Sequence, residues 1–121
     1  MGYTKHHTIV VTGVNGEEVI KAREKAIKIF SKSFTGDPLF KPNGSKLISN
    51  IISGVVNSQY SFFIAPDGSN EGWGTSLDGD KARKKFLIWL HKNREDFDYV
   101  EVTFGGDDRY QEITNSSISN D

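Results

Sequence analysis

The sequence predicts an α+β fold in which a four-stranded antiparallel sheet carries two helices on one face. Segments rich in β-branched and aromatic residues are interleaved with two longer segments of helical periodicity, in the order β-α-β-β-α-β. That order packs most simply as one antiparallel sheet with both helices on the same side. The 121 residues are enough for one core. We expect this domain over residues 1–106 and a polar C-terminal tail over residues 107–121.

The first strand is predicted from His6 to Thr12, a run of mostly β-branched residues that ends at Gly13. Alternation places Ile9 and Val11 on one face and Val10 on the other. Apolar residues on both faces are typical of a central strand.

The first helix is predicted to begin after Asn15, whose side chain can cap it, with Glu18 as the capping-box partner. We expect it to continue to about Ser33. Helical spacing gives it an apolar stripe formed by Val19, Ala22, Ala26, Ile27, Phe30 and Phe34.

Residues 47–56 fit two kinds of structure. Apolar pairs recur four residues apart, which a helix would also place on one face: Leu47/Ile48, Ile51/Ile52 and Val55/Val56. Their β-branched character, Gly54 and the polar turn Asn57–Gln59 favour a strand that enters a hairpin. We expect a strand here, followed by a buried strand from Tyr60 to Ala65 with apolar side chains on both faces.

The second helix is predicted to begin near Ser76 to Asp80, where side-chain oxygens can cap free N–H groups, and to end near Asn93 to Asp96. Its buried stripe consists of Ala82, Phe86, Trp89 and Leu90, with Leu87 at the border. Its exposed side is basic and carries Lys81, Arg83, Lys84, Lys85 and Lys92.

The last predicted strand, Tyr99 to Phe104, alternates in the manner of a half-exposed or edge strand. The side chains expected to point inward are Val100, Val102 and Phe104. Those expected to point outward are Tyr99, Glu101 and Thr103.

Since the helices cover only one face of the sheet, apolar side chains of the central strands must lie on the other. Val10 would lie there beside Tyr99, with one of two pairs, Phe62/Ile64 or Phe63/Ala65. An apolar patch of this kind usually marks an interface. We therefore expect a homo-oligomer, most simply a two-fold dimer through the open sheet face.

Composition excludes several classes of protein. A net charge of −1 gives no general attraction to nucleic acid or to an acidic membrane. The chain has no cysteine, which excludes a disulfide scaffold, a thiolate nucleophile and a cysteine-based zinc site. No run approaches the roughly 20 apolar residues of a membrane span, and the first residues do not resemble a signal peptide. We expect a cytoplasmic globular protein.

No arrangement in the sequence indicates catalysis. His6 and His7 are neighbours on a strand and point to opposite faces, which leaves His91 and no zinc constellation. The run from Asp67 to Asp78 loosely resembles a calcium loop, but a strand precedes it where a helix is required. No phosphate-binding loop, dinucleotide fingerprint or nucleophile elbow occurs. We expect a protein that is not an enzyme and that uses no metal or cofactor.

The glycine-rich run between Pro66 and Asp80 is the predicted binding surface. Its Trp73 could stack on a planar base, or could pack as a lid on the protein's own core. Arginines could bind phosphate oxygens and a carboxylate could bind sugar hydroxyls, although a single charged residue is more often simply solvated. The basic start of the second helix suits a small anionic ligand better than a long nucleic acid. The full set of predicted ligand-binding residues is Trp73, Arg83, Arg109, Asp108, Arg23, Phe86 and Asn70.

Four stretches resemble a family of small phage-encoded proteins: His6 to Thr12, Ile64 to Trp73, Gly79-Asp80, and Val100 to Val102 before Gly-Asp-Asp. The run Ala-Pro-Asp-Gly-Ser-Asn-Glu-Gly-Trp in the second stretch is the distinctive one, and the resemblance spans about residues 6–108. The chain is similar to the first type of Thoeris anti-defence (Tad) sponges. Members of that family bind and sequester cyclic ADP-ribose-type signalling nucleotides, also hold cyclic oligonucleotides, assemble from dimers and are not enzymes.

The resemblance implies a protein of the host bacterial cytoplasm that sequesters a small cyclic nucleotide and so inhibits Thoeris immunity. It assigns no ligand contacts to this chain, so the predicted residues rest on their own chemistry. One alternative is a protein-binding inhibitor or adaptor that acts through the open sheet face. A second is RNA binding through Tyr60, Phe62 and Phe63 on the sheet, which the near-neutral charge disfavours.

Overall fold

The computed structural model describes residues 5–32, 44–68, 74–106 and 110–118. Within these residues the chain forms two α-helices, a 3₁₀ turn and five strands. The elements in chain order are β1 (His6–Gly13), α1 (Gly16–Ser31), the 3₁₀ turn (Gly44–Leu47), β2 (Ile52–Ser53), β3 (Tyr60–Ile64), α2 (Gly74–Lys92), β4 (Asp98–Gly105) and β5 (Tyr110–Ser116).

The five strands form one antiparallel sheet in the order β2-β3-β1-β4-β5. β1 is central, as predicted, and its Val10 lies opposite Phe63 of β3 and Val100 of β4. The α+β class and the antiparallel sheet are therefore confirmed. The predicted number of four strands is wrong by one.

The additional strand is β5, which lies in the segment expected to be a polar tail. It pairs with β4 along Tyr110–Ser116, with an irregularity in the register between Glu101 and Val102. The sequence pattern missed β5 because an edge strand exposed to water needs no apolar alternation to pair. As a consequence β4 is not an edge strand.

The facing of β4 is the reverse of the prediction. Tyr99, Glu101 and Thr103 are buried under the helices, whereas Phe104 lies on the open face and is 38% exposed. The register explains the reversal, since Val11 lies opposite Tyr99 and directly paired residues share a face of the sheet. Polar residue types on β4 point inward because they have partners there.

The segment 47–56 contains a strand, but a much shorter one than predicted. After the 3₁₀ turn, Ile48 makes an isolated bridge to Ile64, and only Ile52–Ser53 pairs as β2. The predicted hairpin is present, closed by a 2.6 Å hydrogen bond from the Gly54 amide to the Gln59 carbonyl.

The core lies between the helices and the inner face of the sheet. It contains four of the six residues of the predicted α1 stripe, Val19, Ala22, Ala26 and Phe30, packed with Ile9, Val11, Phe62, Ile64, Phe86 and Leu90. Ile27 is partly buried against this core, and Phe34 lies outside the described residues. Asn15 caps α1 as predicted, because its side-chain oxygen accepts from the amides of Glu17 and Glu18 at 3.0 and 3.3 Å. α2 begins at Gly74, earlier than predicted, so Asp80 lies inside the helix rather than at its start.

The open face of the sheet carries apolar side chains, as predicted. Val10 and Phe63 lie on it and are 37% and 41% exposed, while Phe62 and Ile64 face the helices. Of the two predicted alternatives, the pair Phe63/Ala65 is therefore the one on the open face. Tyr99 does not lie on this face. We call the exposed group formed by Val10, Phe63, Phe104 and Ile113 the open-face patch.

None of the helices in the part of the chain that the structure describes is both long enough and apolar enough to span a bilayer.

Candidate ligand-binding cleft

A cleft of about 700 Å³ lies between α2 and the outer two strands, on the helix side of the sheet. It exists because β5 continues the sheet past the edge that α2 covers. We call it the α2–β5 cleft. Its lining consists of Asp80, Arg83, Lys84, Leu87, Ile88, His91 and Lys92 from α2, Tyr99 and Glu101 from β4, and Asn115 and Ser116 from β5.

The helical wall of the cleft is one face of α2, because its residues recur at intervals of three and four. Asp80 and Arg83 lie toward the start of the helix, and His91 and Lys92 form its last turn. Leu87 and Ile88 lie between them and give the wall an apolar middle.

The strand wall runs antiparallel to α2, as two contacts show. Arg83 approaches Glu101 at one end, and at the other His91 Nδ1 lies 3.0 Å from the hydroxyl of Tyr99. Burial raises the pKa of Tyr99 above its ordinary value of 10.0, and the charge of Arg94 partly opposes that rise. The hydroxyl therefore keeps its proton at neutral pH and serves as a hydrogen-bonding group of the wall.

Arg83 is held by carboxylates on three sides. Its Nη1 lies 3.2 Å from Asp67, its Nη2 2.5 Å from Asp80 and its Nε 3.9 Å from Glu101 Oε2. The side chain is only 5% exposed. A guanidinium with this much burial requires such partners, because an unpaired buried charge is costly.

Glu101 connects the Arg83 cluster to β5. Its Oε1 accepts hydrogen bonds from Thr114 Oγ1 at 2.6 Å and from Asn115 Nδ2 at 2.8 Å. One buried carboxylate thus ties α2, β4 and β5 together at one end of the cleft.

Gly79 allows the segment after β3 to approach α2. A Cβ atom at this position would overlap the carboxylate of Asp67 and would lie 3.0 Å from Arg83 Nη1. The missing side chain therefore lets Asp67 reach Arg83 across the helix surface.

Of the predicted ligand-binding residues that the structure describes, the cleft contains Arg83 but neither Arg23 nor Phe86. The Arg83 guanidinium is engaged by carboxylates, which disfavours the predicted contact with phosphate. Arg23 lies on α1 and donates from Nε to the carbonyl of Ser49 at 2.8 Å. Phe86 is fully buried in the core and stacks on Trp89, with ring centroids 6.1 Å apart.

The remaining predicted residues, Trp73, Asn70, Asp108 and Arg109, lie outside the described residues. Their roles in binding stay predictions.

Sequence reasoning missed most of the cleft because it did not predict β5, which completes the strand wall beside β4. The basic side of α2 was the one signal that could have located it. The structure divides that basic side, since Lys84 and Lys92 line the cleft whereas Lys81 and Lys85 do not.

Within residues 5–32, 44–68, 74–106 and 110–118, no group of three or more His, Asp or Glu side chains is arranged to hold a metal ion. No protein-family model matches this chain, and no curated protein sequence matches it. The resemblance to the Thoeris anti-defence family stays a prediction.

Proposed function

We propose that the protein binds a small nucleotide in the α2–β5 cleft and holds it without transforming it. The observation that carries this proposal is the cleft itself, with Lys84 and Lys92 on one wall and polar side chains on the other. Its volume of about 700 Å³ falls within the range of roughly 300–1,000 Å³ that is usual for small-molecule sites.

The chemistry of the lining suits the parts of a nucleotide. Lys84 and Lys92 attract phosphate, while Leu87 and Ile88 offer apolar surface to a planar base. Asn115 on the strand wall can donate to or accept from sugar and base atoms. Each part of such a ligand thus has a complementary region within one cleft.

The carboxylates of the wall are held in place by partners within the protein. Glu101 accepts through Oε1 from Thr114 and Asn115, and Asp80 pairs with Arg83. Their remaining oxygens can accept hydrogen bonds from a ligand.

The biological role that we propose is that of a phage anti-defence sponge in the host bacterial cytoplasm. Its ligand would be a cyclic ADP-ribose-type signal, with cyclic oligonucleotides as a second class, and its capture would inhibit Thoeris immunity. This part rests on the resemblance of residues 6–108. A sponge has to outcompete a receptor, so release should be slow, because affinity is set mostly by the off-rate.

Two measurements test the proposal together. Mass spectrometry of small molecules released by denaturing the purified protein should find a nucleotide. Isothermal titration with cyclic ADP-ribose isomers should show binding, and denaturation of the complex should return the added ligand intact. Recovery of a cleaved product contradicts a sponge, and binding of no nucleotide contradicts the function as a whole.

We propose further that two copies associate through the open-face patch. Val10 and Phe63 are directly paired across β1 and β3, and both are more than a third exposed, which is costly for a surface left in water. The same patch supports the alternative function, a protein-binding inhibitor or adaptor. A monomer that carries no nucleotide would favour that alternative.

A further inference from the structure

The two ends of the α2–β5 cleft differ in charge. Lys92 and His91 line one end, and Asp80 and Glu101 line the other, beside Arg83 and Lys84. Arg83 and His91 are eight residues apart on α2, so the two ends are separated by about 12 Å at the rise of an α-helix.

The basic end is suited to an anion although it lies at the C-terminus of α2, where backbone carbonyls carry negative partial charge. Those carbonyls already accept hydrogen bonds. The side chain of Asn93 donates to the carbonyl of Trp89 at 2.8 Å, and Arg94 Nη1 donates to that of His91 at 2.8 Å. Arg94 also adds positive charge near Lys92.

The acidic end is suited to hydrogen-bond donors. Three carboxylates surround the Arg83 guanidinium, and Lys84 lines the same end, so three negative charges face two positive ones. Glu101 Oε2 lies 3.9 Å from Arg83, beyond hydrogen-bonding distance, and can accept from another group. Asp80 is 53% exposed and presents its carboxylate to the cleft. A phosphate placed here would meet repulsion, whereas a hydroxyl or amino group would meet acceptors.

We propose that the nucleotide lies along the cleft in one orientation, with its phosphates at Lys92 and His91 and its sugar hydroxyls or exocyclic amino group at Asp80 and Glu101. This inference rests on the proposed function and adds the orientation of the ligand. It makes the carboxylates determinants of specificity, because they distinguish a nucleotide from a bare phosphate.

The test compares two probes, ADP-ribose and inorganic pyrophosphate, by isothermal titration at fixed pH and ionic strength. The substitution Asp80→Ala removes an acceptor and a negative charge together. It should weaken the binding of ADP-ribose by about tenfold or more, as expected for loss of a charge-assisted hydrogen bond. Pyrophosphate should bind equally well or more tightly. Lys92→Ala should weaken the binding of both probes.

Asp78→Ala is the matched control, since Asp78 lies one half-turn away on α2 and does not line the cleft. It should change the binding of both probes alike. Glu101→Gln is a second cleft variant that preserves side-chain shape, and thermal melting checks that each variant is folded. The expected result for Glu101→Gln is again weaker binding of ADP-ribose alone.

The inference is overturned if Asp80→Ala and Glu101→Gln bind both probes as tightly as the wild-type protein or more tightly. The carboxylates would then act on the two probes only through their negative charge and would not distinguish a nucleotide from a bare phosphate. In that case the proposed function still stands. Wild-type protein that binds neither probe overturns the inference, and failure with the cyclic nucleotides as well removes the proposed function.

Discussion

Arg83 is the side chain that holds one end of the cleft together. It lies 95% buried between α2, the segment after β3 and β4, and its partners Asp67 and Glu101 are themselves buried to about the same degree. Buried ion pairs of this kind add little net stability over an apolar core, but removing one partner leaves the others uncompensated. The cluster therefore makes the cleft wall sensitive to loss of a single group.

We predict that Arg83→Met lowers the free energy of unfolding by about 3–5 kcal/mol, since it keeps apolar volume but removes the cation that the buried carboxylates of Asp67 and Glu101 share. Urea denaturation measures the change. Lys85→Met is the control, because Lys85 is exposed on the same helix, and its effect should stay within about 0.5 kcal/mol. Equal effects of the two variants would show that the Arg83 cluster does not stabilise the fold.

At the scale of elements, the packing of α2 decides where the cleft lies. The helix must approach the segment after β3 closely enough for Asp67 to reach Arg83, and Gly79 provides the space. On its other side α2 leaves β5 uncovered, which opens the cleft. A shift of α2 would therefore change both the ion cluster and the shape of the site.

Gly79→Ala should destabilise the protein by about 1–3 kcal/mol, as expected for overpacking, although alanine normally favours a helix. Gly16→Ala in α1 is the matched substitution, because its Cβ would meet only ordinary contacts at 3.4 Å from the Tyr60 ring. That variant should be neutral or slightly stabilising in thermal melting. A stabilising effect at Gly79 would contradict the close approach of Asp67.

At the scale of the whole molecule, the sheet has two faces with different uses. The inner face carries the core and, past α2, the cleft, while the outer face presents the open-face patch. A dimer through that patch would leave both clefts accessible, because they lie on the opposite side of the sheet. The proposed ligand site and the proposed dimer interface would therefore not overlap.

Analytical ultracentrifugation tests the association. The wild-type protein should sediment as a dimer or an assembly of dimers, and Phe63→Glu should release monomers. Ile20→Glu places the same charge at an exposed apolar residue of α1, outside the open-face patch, and should leave the assembly intact. A wild-type protein that stays monomeric at every concentration would contradict the proposed dimer.

The parts of the fold that could be predicted from the sequence are those in which the spacing of apolar residues shows which side chains are buried. The burial of Val19, Ala22, Ala26 and Phe30 on α1 and the central position of β1 follow from the spacing of apolar residues. The inward facing of Glu101 could not be predicted, because its burial depends on Arg83 and Asn115, which are distant in sequence. β5 shows no apolar alternation in its sequence, because an exposed edge strand pairs through its backbone and buries few side chains. The cleft was missed for the same reason, because β5 forms part of its wall.

The most direct test of the central claim compares two pairs of lysines on α2 by titration with the nucleotide that the wild-type protein retains or with cyclic ADP-ribose isomers. Lys84→Ala/Lys92→Ala removes charge from the cleft, and Lys81→Ala/Lys85→Ala removes the same charge outside it. We predict that the first pair weakens binding by at least about tenfold, from the loss of charge-assisted hydrogen bonds, and that the second changes it little. Equal losses in the two double variants, or no loss in the first, would contradict the assignment of the ligand to the α2–β5 cleft.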